Sequence, residues 1–469
     1  MLRPSMRLTM AGRIVRLATV SLGCCLAWGV ATAQDKPGAL TLAQAYDAAL
    51  RNDVRYQMAT KELESARLAV PVVRAGLLPQ LAFSASVSKV KGMRDFGNAL
   101  NQDVRVPLNY EAPQYGLSLR APVFNYESLV RLRQATSTAE GAEAMMQARH
   151  LDLVSRLTTA YLEVLMQHEA LRFAAEELQS LLAQAERARR RYTLGEGTVQ
   201  DATAAEAAAE IGRTRLARSR DDVVLALQSL QRVTGMPAST LRTLSADFTG
   251  VALPLPDLQA WMSRALQSSP ILRFRELSVE TARHGVDRQR AGHYPRLDLV
   301  ASLSRAENES VSTLNQTTRQ RSVGVQLSVP LYSGGGVEAG IAQAVAEKER
   351  VQEELRAERE NLLFEVERLY RLAYQGPDRL AAHAQALGAS EVAVQAADRA
   401  QAKGLGTAAD YRLAVARRAA AQRDLIVARY EYVNQYAQLL VISGWTPGVL
   451  VNEMAGVLTK DAAMDEGKP

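Results

Sequence analysis

The sequence predicts an α+β chain in which very long α-helices are combined with four amphipathic β-strands and the whole pattern occurs twice. Three observations support this architecture. Residues 127–193 form an alanine-, arginine- and glutamate-rich stretch without a clear helix breaker, while aromatic residues make up only 5% of the chain. Short segments of alternating polarity occur in pairs. The same landmarks recur in the same order in the second half of the chain, which indicates a duplicated unit.

The duplication rests on three pairs of similar segments. These are 42–81 with 258–297, 116–124 with 324–332, and 195–201 with 404–410. Because solenoid arrays need shorter units in more copies, two long units indicate two-fold pseudosymmetry instead.

The predicted organisation follows from these landmarks. It comprises a signal peptide (1–33), a first repeat (34–240), a linker (241–256), a second repeat (257–445) and a C-terminal tail (446–469). Each repeat is expected to contain a helix, a β-hairpin, a long helix, a tight turn and a further helix. The hairpins are predicted at 81–122 and 297–330, and the helical turns at 194–200 and 403–409.

The first 33 residues have the pattern of a secretory signal peptide. A basic start precedes an apolar run from Leu17 to Val30, and the small residues 31–33 provide a cleavage site. Cleavage there removes both cysteines, Cys24 and Cys25, so the mature chain is expected to carry no thiol or disulfide. Lipidation at Cys24 is an alternative, although Ser21 stands where a lipid-attachment sequence usually has an aliphatic residue.

Charge and motif composition give no reason to expect nucleic acid, a cofactor, a metal or catalysis. The whole chain has 56 basic and 50 acidic residues, and removal of the four signal arginines leaves 52 against 50. The five histidines lack metal-ligand spacing, and His168-Glu169 lacks the second histidine of a zinc-protease motif. Gly334-Gly335-Gly336 lacks the lysine and hydroxyl residue of a phosphate-binding loop. A secreted hydrolase is an alternative, but no acid pair stands out from the solvated helix faces.

Alternation predicts four strands that each have one apolar face. In the second hairpin, Val323, Val325, Leu327 and Val329 alternate with small or polar residues. Similar stripes occur in the other three strands: Leu81, Phe83, Ala85 and Val87; Tyr115, Leu117, Leu119 and Ala121; Leu297, Leu299, Ala301 and Leu303. Such stripes fit membrane-spanning β-strands, although a half-buried strand pair in a soluble sheet shows the same alternation.

Two further expectations favour the membrane. Long polar loops are predicted at roughly 88–114 and 305–321, and the chain offers no other strand material for a soluble sheet. Helix–strand junctions are predicted where prolines would stop a helix, at Pro79, Pro122, Pro295 and Pro330.

Four strands cannot close a barrel, and an open edge in lipid would leave backbone groups unpaired. Several chains must therefore share one barrel. Two chains would supply eight strands around an interior filled by side chains, whereas three would supply twelve and leave a lumen. If these strands span a membrane and contact its lipid, an open passage through the barrel requires the larger number.

The helix predicted over Glu127–Thr193 would span about 100 Å. Its counterpart, Val337–Lys403, is interrupted at Gly376-Pro377. The first helix carries two adjacent apolar seams: Leu151, Val154, Thr158, Tyr161 and Leu165; Leu153, Leu157, Ala160 and Val164. A two-stranded coiled coil needs one seam, so two seams favour a helix packed between two neighbours, as in a closed cylinder. An ordinary bundle core is the alternative.

These features together resemble the TolC-type outer membrane factors across residues 40–445. The shared motifs are Gly-x-x-Pro-x-Leu at Gly76–Leu81 and Gly292–Leu297, the hairpin exits at 122–126 and 330–334, and the paired Gly-x-Gly-Thr-x-x-Asp turns. The resemblance implies a homotrimer with a twelve-stranded barrel in the outer membrane of a Gram-negative bacterium. An α-helical tunnel would then cross the periplasm.

The same resemblance implies partners and two cargo classes. Such channels dock through a periplasmic adaptor protein onto an inner-membrane transporter, either an ABC transporter or another type. They serve type I secretion of polypeptides or efflux of small toxic molecules. The segment Asn125-Tyr126-Glu127, followed by Arg131 and Arg133, favours the secretion subgroup. A periplasmic adaptor or other coiled-coil scaffold is an alternative class, but it would lack the duplicated strand pairs.

A periplasmic gate at the helical turns is also implied by the resemblance. Asp410 falls on a gate aspartate, and Asp201 falls on the matching position of the first repeat. Leu413 stands where a second gate aspartate is expected, and Gly406 stands where an arginine would form a link, so different contacts are expected to hold the closed state. The residues implied in adaptor docking are Gly195, Gly197, Thr198, Gly404, Gly406 and Thr407. The alternative is that both aspartates are ordinary acids in the first turn of a helix.

Overall fold

A computed structural model of the chain describes residues 40–97, 102–237, 240–245, 248–308, 316–458 and 460–463. The predicted signal peptide and the possible lipidation site at Cys24 lie outside these residues. The helices of the described chain are α1 (Leu42–Asn52), α2 (Val54–Ala75), α3 (Tyr126–Thr193), α4 (Val199–Thr234), α5 (Leu258–Ser268), α6 (Pro270–Arg290), α7 (Gly336–Tyr374), α8 (Gly376–Ala402), α9 (Ala408–Ile442) and α10 (Pro447–Val457). The strands are β1 (Gln80–Gly97), β2 (Asp103–Asn125), β3 (Thr240–Thr243), β4 (Arg296–Asn308), β5 (Gln316–Ser328) and β6 (Lys460–Ala463).

The main sheet is antiparallel and has the strand order β1-β2-β4-β5. The two hairpins of the duplicated units therefore lie side by side, and β1 and β5 form the edges. The small strands β3 and β6 pair with each other away from this sheet. Long helices and four amphipathic strands confirm the α+β architecture predicted from the sequence.

The prediction of a long loop at 88–114 was wrong. β1 continues to Gly97 and β2 begins at Asp103, so most of that segment is a two-stranded extension of the first hairpin. The backbone pairing is reinforced by an ion pair of 2.8 Å between Asp95 and Arg105 on neighbouring strands. Charged residues alternate with apolar ones here, so the segment is polar overall and still has the two-residue period of a strand.

The second predicted loop, 305–321, is also shorter than expected, because β4 extends to Asn308 and β5 begins at Gln316. Residues 309–315 lie outside the described part of the chain.

Three of the four prolines lie at strand ends as predicted, but Pro122 lies inside β2. A register shift between Pro122 and Phe124 marks its position. Proline lacks the N–H that a regular ladder needs, and β1 does not extend this far, so the irregularity disrupts only the pairing with β4.

α3 has 68 residues and begins directly after β2, with the Asn125 side chain accepting a hydrogen bond from the Ser128 N–H at 3.1 Å. A helix of this length spans about 100 Å. Both seams predicted over 151–165 are buried, and Leu153 and Leu157 are fully inaccessible to solvent. α3 therefore packs between neighbouring helices on both faces, as the two seams predicted.

Among the described helices, none is both long enough and apolar enough to cross a membrane.

The interruption predicted at Gly376 has a packing partner. The ring of Tyr432, on α9, lies directly against Gly376, where a Cβ atom would come within 2.0 Å of Cδ2. The Tyr432 hydroxyl contacts the backbone N–H and carbonyl of Val251, in the predicted linker, at 2.9 and 3.1 Å. The linker therefore packs over the break between α7 and α8.

Around this break lies the main hydrophobic core, to which β3 and every described α-helix except α2 contribute. Trp261 and Tyr161 are fully buried in it. The Tyr161 hydroxyl accepts a hydrogen bond from the Arg242 N–H at 2.8 Å and donates one to the Leu40 carbonyl at 2.8 Å. These bonds fix β3 and the start of the described chain against α3, partway along the long helices.

Candidate functional site

The main sheet presents an apolar stripe to its surroundings. Val323, Val325 and Leu327 on β5 are 79%, 65% and 64% exposed, and Leu81 and Phe83 on β1 are 66% and 70% exposed. These residues share one face because, up to the register shift after Pro122, the register pairs odd-numbered residues of all four strands with one another. A continuous exposed apolar surface of this kind is typical of contact with lipid or with another protein.

The opposite face of the sheet is polar. Arg120 on β2 forms an ion pair of 2.5 Å with Asp298 on β4, and Asp298 lies opposite Gln326 on β5. Ser302 and Ser322 share a hydrogen bond of 2.7 Å across β4 and β5. The sheet thus separates an apolar medium from a polar one, as a membrane-spanning strand does between lipid and a water-filled lumen.

Aromatic side chains gather where the strands meet the helices. Tyr126, at the start of α3, packs against Tyr294, just before β4, with ring centroids 4.8 Å apart. Tyr332, which follows β5, is 87% exposed. Tyrosine is enriched at the boundary between lipid and water because its ring is apolar and its hydroxyl is polar. A sequence signal for these tyrosines exists, since Tyr294 precedes Pro295 and Tyr332 follows two residues after Pro330.

Glu127 connects a helix to a strand at the same boundary. Its carboxylate contacts Arg131 one turn further along α3 and Arg296 at the start of β4, the latter at 2.5 Å. The Glu127 side chain is only 18% exposed. This contact joins the first residues of α3 to the second hairpin and so couples the sheet to the helices.

The far ends of the helices form two turns with the same geometry. Gly195 and Gly404 adopt positive φ values of 75° and 70°, which favour glycine over any residue with a Cβ atom. After each turn, a threonine caps the next helix: Thr198 accepts from the Asp201 N–H, and Thr407 accepts from the Asp410 N–H, both at 3.1 Å. The two repeats therefore end in matching caps.

The second glycine of each turn lies close to the preceding helix. A Cβ atom at Gly197 would lie 3.3 Å from Cβ of Arg191, and one at Gly406 would lie 3.1 Å from Cβ of Ala400. This close packing gives Gly406 a local structural reason to lack a side chain.

The two predicted gate aspartates have different surroundings. The Asp410 carboxylate accepts hydrogen bonds from the Thr407 hydroxyl at 2.6 Å and the Thr407 N–H at 3.1 Å, and these bonds lower its pKa. Asp201 accepts from the Thr198 hydroxyl at 2.9 Å, and its other carboxylate oxygen lies 3.6 Å from Arg412 on α9. Both aspartates thus contact their own caps, and Asp201 also contacts the other repeat.

Arg412 was not among the residues selected from the sequence. It lies between Asp410 and Leu413 in the chain, and Leu413 itself is 52% exposed. The Arg412 side chain is 29% exposed, so it is partly enclosed between the two helical hairpins. Its position two residues after an aspartate was no sequence signal, because the contact depends on how α4 and α9 pack.

A second link joins the hairpins further from the turns. Glu177 on α3 lies 2.8 Å from Arg215 on α4 and 3.7 Å from Arg423 on α9, and its side chain is only 14% exposed. The Asp201–Arg412 and Glu177–Arg423 pairs therefore connect the hairpin of the first repeat to α9 at two levels.

A cleft of about 360 Å³ lies between the two hairpins beside the turns. Its lining includes Arg187, Arg190 and Arg191 from α3 and Arg412 from α9, whereas Asp398 is the one acid in the lining. The cleft is therefore electropositive and open to solvent. Among the described residues, no cluster of histidine, cysteine or acidic side chains has the arrangement of a metal site.

An amphipathic four-stranded sheet joined to several long helices, of which α3 spans about 100 Å, defines the class of outer-membrane channel subunits with a periplasmic helical tunnel. The profile of the family described as "outer membrane efflux protein" matches residues 45–236 and 261–444. The chain belongs to this family, which confirms the resemblance to TolC-type channels and the outer-membrane location. The family is one of channels and not of enzymes.

Two relatives and one solved structure illustrate the similarity. The chain is 28% identical over 409 residues to the alkaline protease secretion protein AprF of Pseudomonas aeruginosa, covering 87% of this chain and 85% of the relative. It is 29% identical over 419 residues to the proteases secretion protein PrtF of Dickeya chrysanthemi, covering 87% and 88%. The outer-membrane channel OprN superposes with a TM-score of 0.74 at 20% identity over 86% of this chain and 89% of that chain, which shows a shared fold.

Proposed function

We propose that three copies of this chain form an outer-membrane channel with a twelve-stranded barrel and that the channel exports polypeptides by type I secretion. The sheet supports the trimer, because in the described part of the chain its edges β1 and β5 each pair on one side only. In lipid those free N–H and carbonyl groups require partners, and identical chains supply them when β1 of one copy pairs with β5 of the next.

The similarity to AprF and PrtF supports polypeptide cargo, because both are described as protease secretion proteins. Small-molecule efflux is the second candidate, since the family description itself names efflux. Deletion of the gene separates the two. We expect the deletion to remove specific polypeptides from the culture supernatant, with recovery on complementation. An unchanged set of secreted polypeptides together with greater sensitivity to small toxic compounds would favour efflux.

The channel is proposed to work with an inner-membrane ABC transporter and a periplasmic adaptor, and to perform no chemistry itself. The turns at Gly195–Thr198 and Gly404–Thr407 are the proposed adaptor contacts, because they lie at the ends of the helices farthest from the sheet. The electropositive cleft beside them is suited to acidic side chains of an adaptor. Crosslinking from these turns, followed by identification of the captured proteins, tests this assignment.

For the closed state, the proposed latch is the Asp201–Arg412 pair, with Asp410 and Leu413 near the periplasmic constriction. A partly exposed ion pair contributes about 0.2–1 kcal/mol, and a trimer has three such pairs. We therefore expect Arg412→Gln to raise the open probability of single channels about tenfold in planar bilayers. Asp201→Asn should produce a similar increase, because it removes the other half of the same pair.

Arg213→Gln is the matched control for this test. Arg213 pairs with Glu210 on the same helix, α4, so its loss removes a surface ion pair without separating the hairpins. Equal changes in open probability in Arg412→Gln and Arg213→Gln would contradict the latch. Asp410→Ala tests the constriction itself and is expected to weaken cation selectivity, since a ring of three carboxylates attracts cations.

A further inference from the structure

The apolar stripe of the first hairpin ends abruptly. Leu81, Phe83 and Val87 are 66%, 70% and 68% exposed on the odd-numbered face of β1. The next two residues on that face are Lys89 and Lys91. Lys89 lies opposite Glu111 in the register. Charged side chains are costly in hydrocarbon, so the lipid-facing band ends between Val87 and Lys89.

The other face of the same hairpin inverts at the same level. Before this level, in residues 80–87, small polar residues such as Ser84 and Ser86 occupy the even-numbered positions, opposite Gly116 and Gln114. Above it, the even-numbered face becomes mostly apolar, with Arg94, opposite Val106, as its charged member. Five apolar residues on this face are half-buried: Val90, Val104, Val106, Leu108 and Tyr110. A change from apolar to charged residues on the odd-numbered face alone would mark only the edge of the lipid. Inversion of both faces means that the polar medium lies outside this extension and an apolar surface lies on the lumen side.

We define the outer ribbon as residues 89–97 of β1 and 103–111 of β2. Within the described residues, β4 follows β2 only as far as the pair Gln114–Ala306, so there the ribbon strands are paired only with each other. The described part of the edge strand β5 has 13 residues against 18 in β1, so these residues of a neighbouring copy do not cover the whole of β1. The outer ribbon therefore extends beyond the barrel rim.

The dimensions allow three ribbons to meet. Nine residues of strand span about 30 Å. Twelve strands spaced about 4.8 Å apart and tilted by about 40° enclose a barrel of roughly 24 Å diameter, so the axis lies about 12 Å from the wall. Each ribbon is longer than this radius. A modest inward bend brings all three apolar faces to the axis.

We propose that the apolar face of each outer ribbon packs against the same face of the other two copies and narrows the outer mouth of the channel. This inference rests on the proposed trimeric channel. The apolar face of the ribbon continues the lumen face of the barrel, so it points toward the symmetry axis. The nearest apolar surfaces there are the same faces of the other two copies. The outward face carries the Asp95–Arg105 pair and the lysines, so it is compatible with water.

Single cysteines at adjacent positions test this contact, because residues 34–469 contain no cysteine. Leu108→Cys places a thiol on the apolar face, and Asn109→Cys places one on the outward face of the same strand. In detergent-purified complexes treated with a mild oxidant or a short bismaleimide, we expect Leu108→Cys to link about two of every three chains into dimers. Asn109→Cys should remain monomeric on denaturing gels and react faster with a water-soluble maleimide.

The possible outcomes separate the two proposals. A complex without three copies would overturn the trimeric channel and this contact together. A three-copy complex in which Leu108→Cys does not crosslink, or reacts with the maleimide as fast as Asn109→Cys, would overturn the ribbon contact alone. As a second readout, Leu108→Asp should raise single-channel conductance severalfold, since three buried carboxylates repel one another, whereas Asn109→Asp should leave it unchanged.

Discussion

Val325→Arg is expected to abolish assembly of the barrel. Val325 is 65% exposed on the apolar face of β5, opposite Leu299 in the register. An arginine facing lipid near the middle of the bilayer costs about 2–4 kcal/mol, and the trimer carries the substitution three times. Folding into lipid vesicles, followed by heat-modifiable mobility on gels, measures the loss of assembled trimer.

Gln326→Arg is the matched control because it places the same side chain one residue away on the opposite face. Gln326 lies opposite Asp298, which already pairs with Arg120, so a second arginine meets water and a nearby carboxylate. We expect assembly to be nearly unchanged. Equal tolerance at both positions would show that this face of β5 does not contact lipid.

Gly376→Ala is expected to destabilise the helical part of the protein by about 3 kcal/mol. The added Cβ would lie 2.0 Å from Cδ2 and 2.2 Å from Cε2 of Tyr432, which real side chains never tolerate. The ring cannot move freely, because its hydroxyl contacts the backbone of Val251. Overpacking of this kind typically costs 1–3 kcal/mol or more. Thermal unfolding of the purified complex, followed by circular dichroism at a helix wavelength, measures the shift.

Gly388→Ala provides the comparison within the same helix. A Cβ there meets nothing within 4 Å, and replacing a helical glycine by alanine is favourable by about 0.5–1 kcal/mol. We expect Gly388→Ala to leave the unfolding temperature unchanged or to raise it. If Gly388→Ala lost as much stability as Gly376→Ala, the cause would be the backbone flexibility of α8 and not the contact with Tyr432.

Periodicity predicted the architecture well where one rule controls it. The two seams of α3 and the odd-numbered stripes of the strands follow directly from periods of 3.6 and 2. The extension of the first hairpin differs from the predicted loop because 88–114 is polar overall, while its alternation continues with the two faces exchanged. The inner position of Pro122 was missed as well, because the end of β1 opposite it depends on tertiary pairing.

The candidate site was less accessible to sequence reasoning. The matching turns and their threonine caps could be found, since Gly195 and Gly404 repeat within similar motifs and the caps are local. Arg412 and Glu177 could not, because each contact joins helices distant in the chain. The gate roles of Asp201, Asp410 and Leu413 stay predictions, as they concern a ring formed by three copies.

The number of copies in the channel tests the central claim most directly. Native mass measurement of the complex, extracted from outer membranes in mild detergent, is expected to give three times the mass of the mature chain, with no folded monomer. The reason is that four strands with two free edges cannot persist alone in a bilayer. A stable, folded monomer in the detergent micelle that conducts ions after transfer to a planar bilayer would contradict the account.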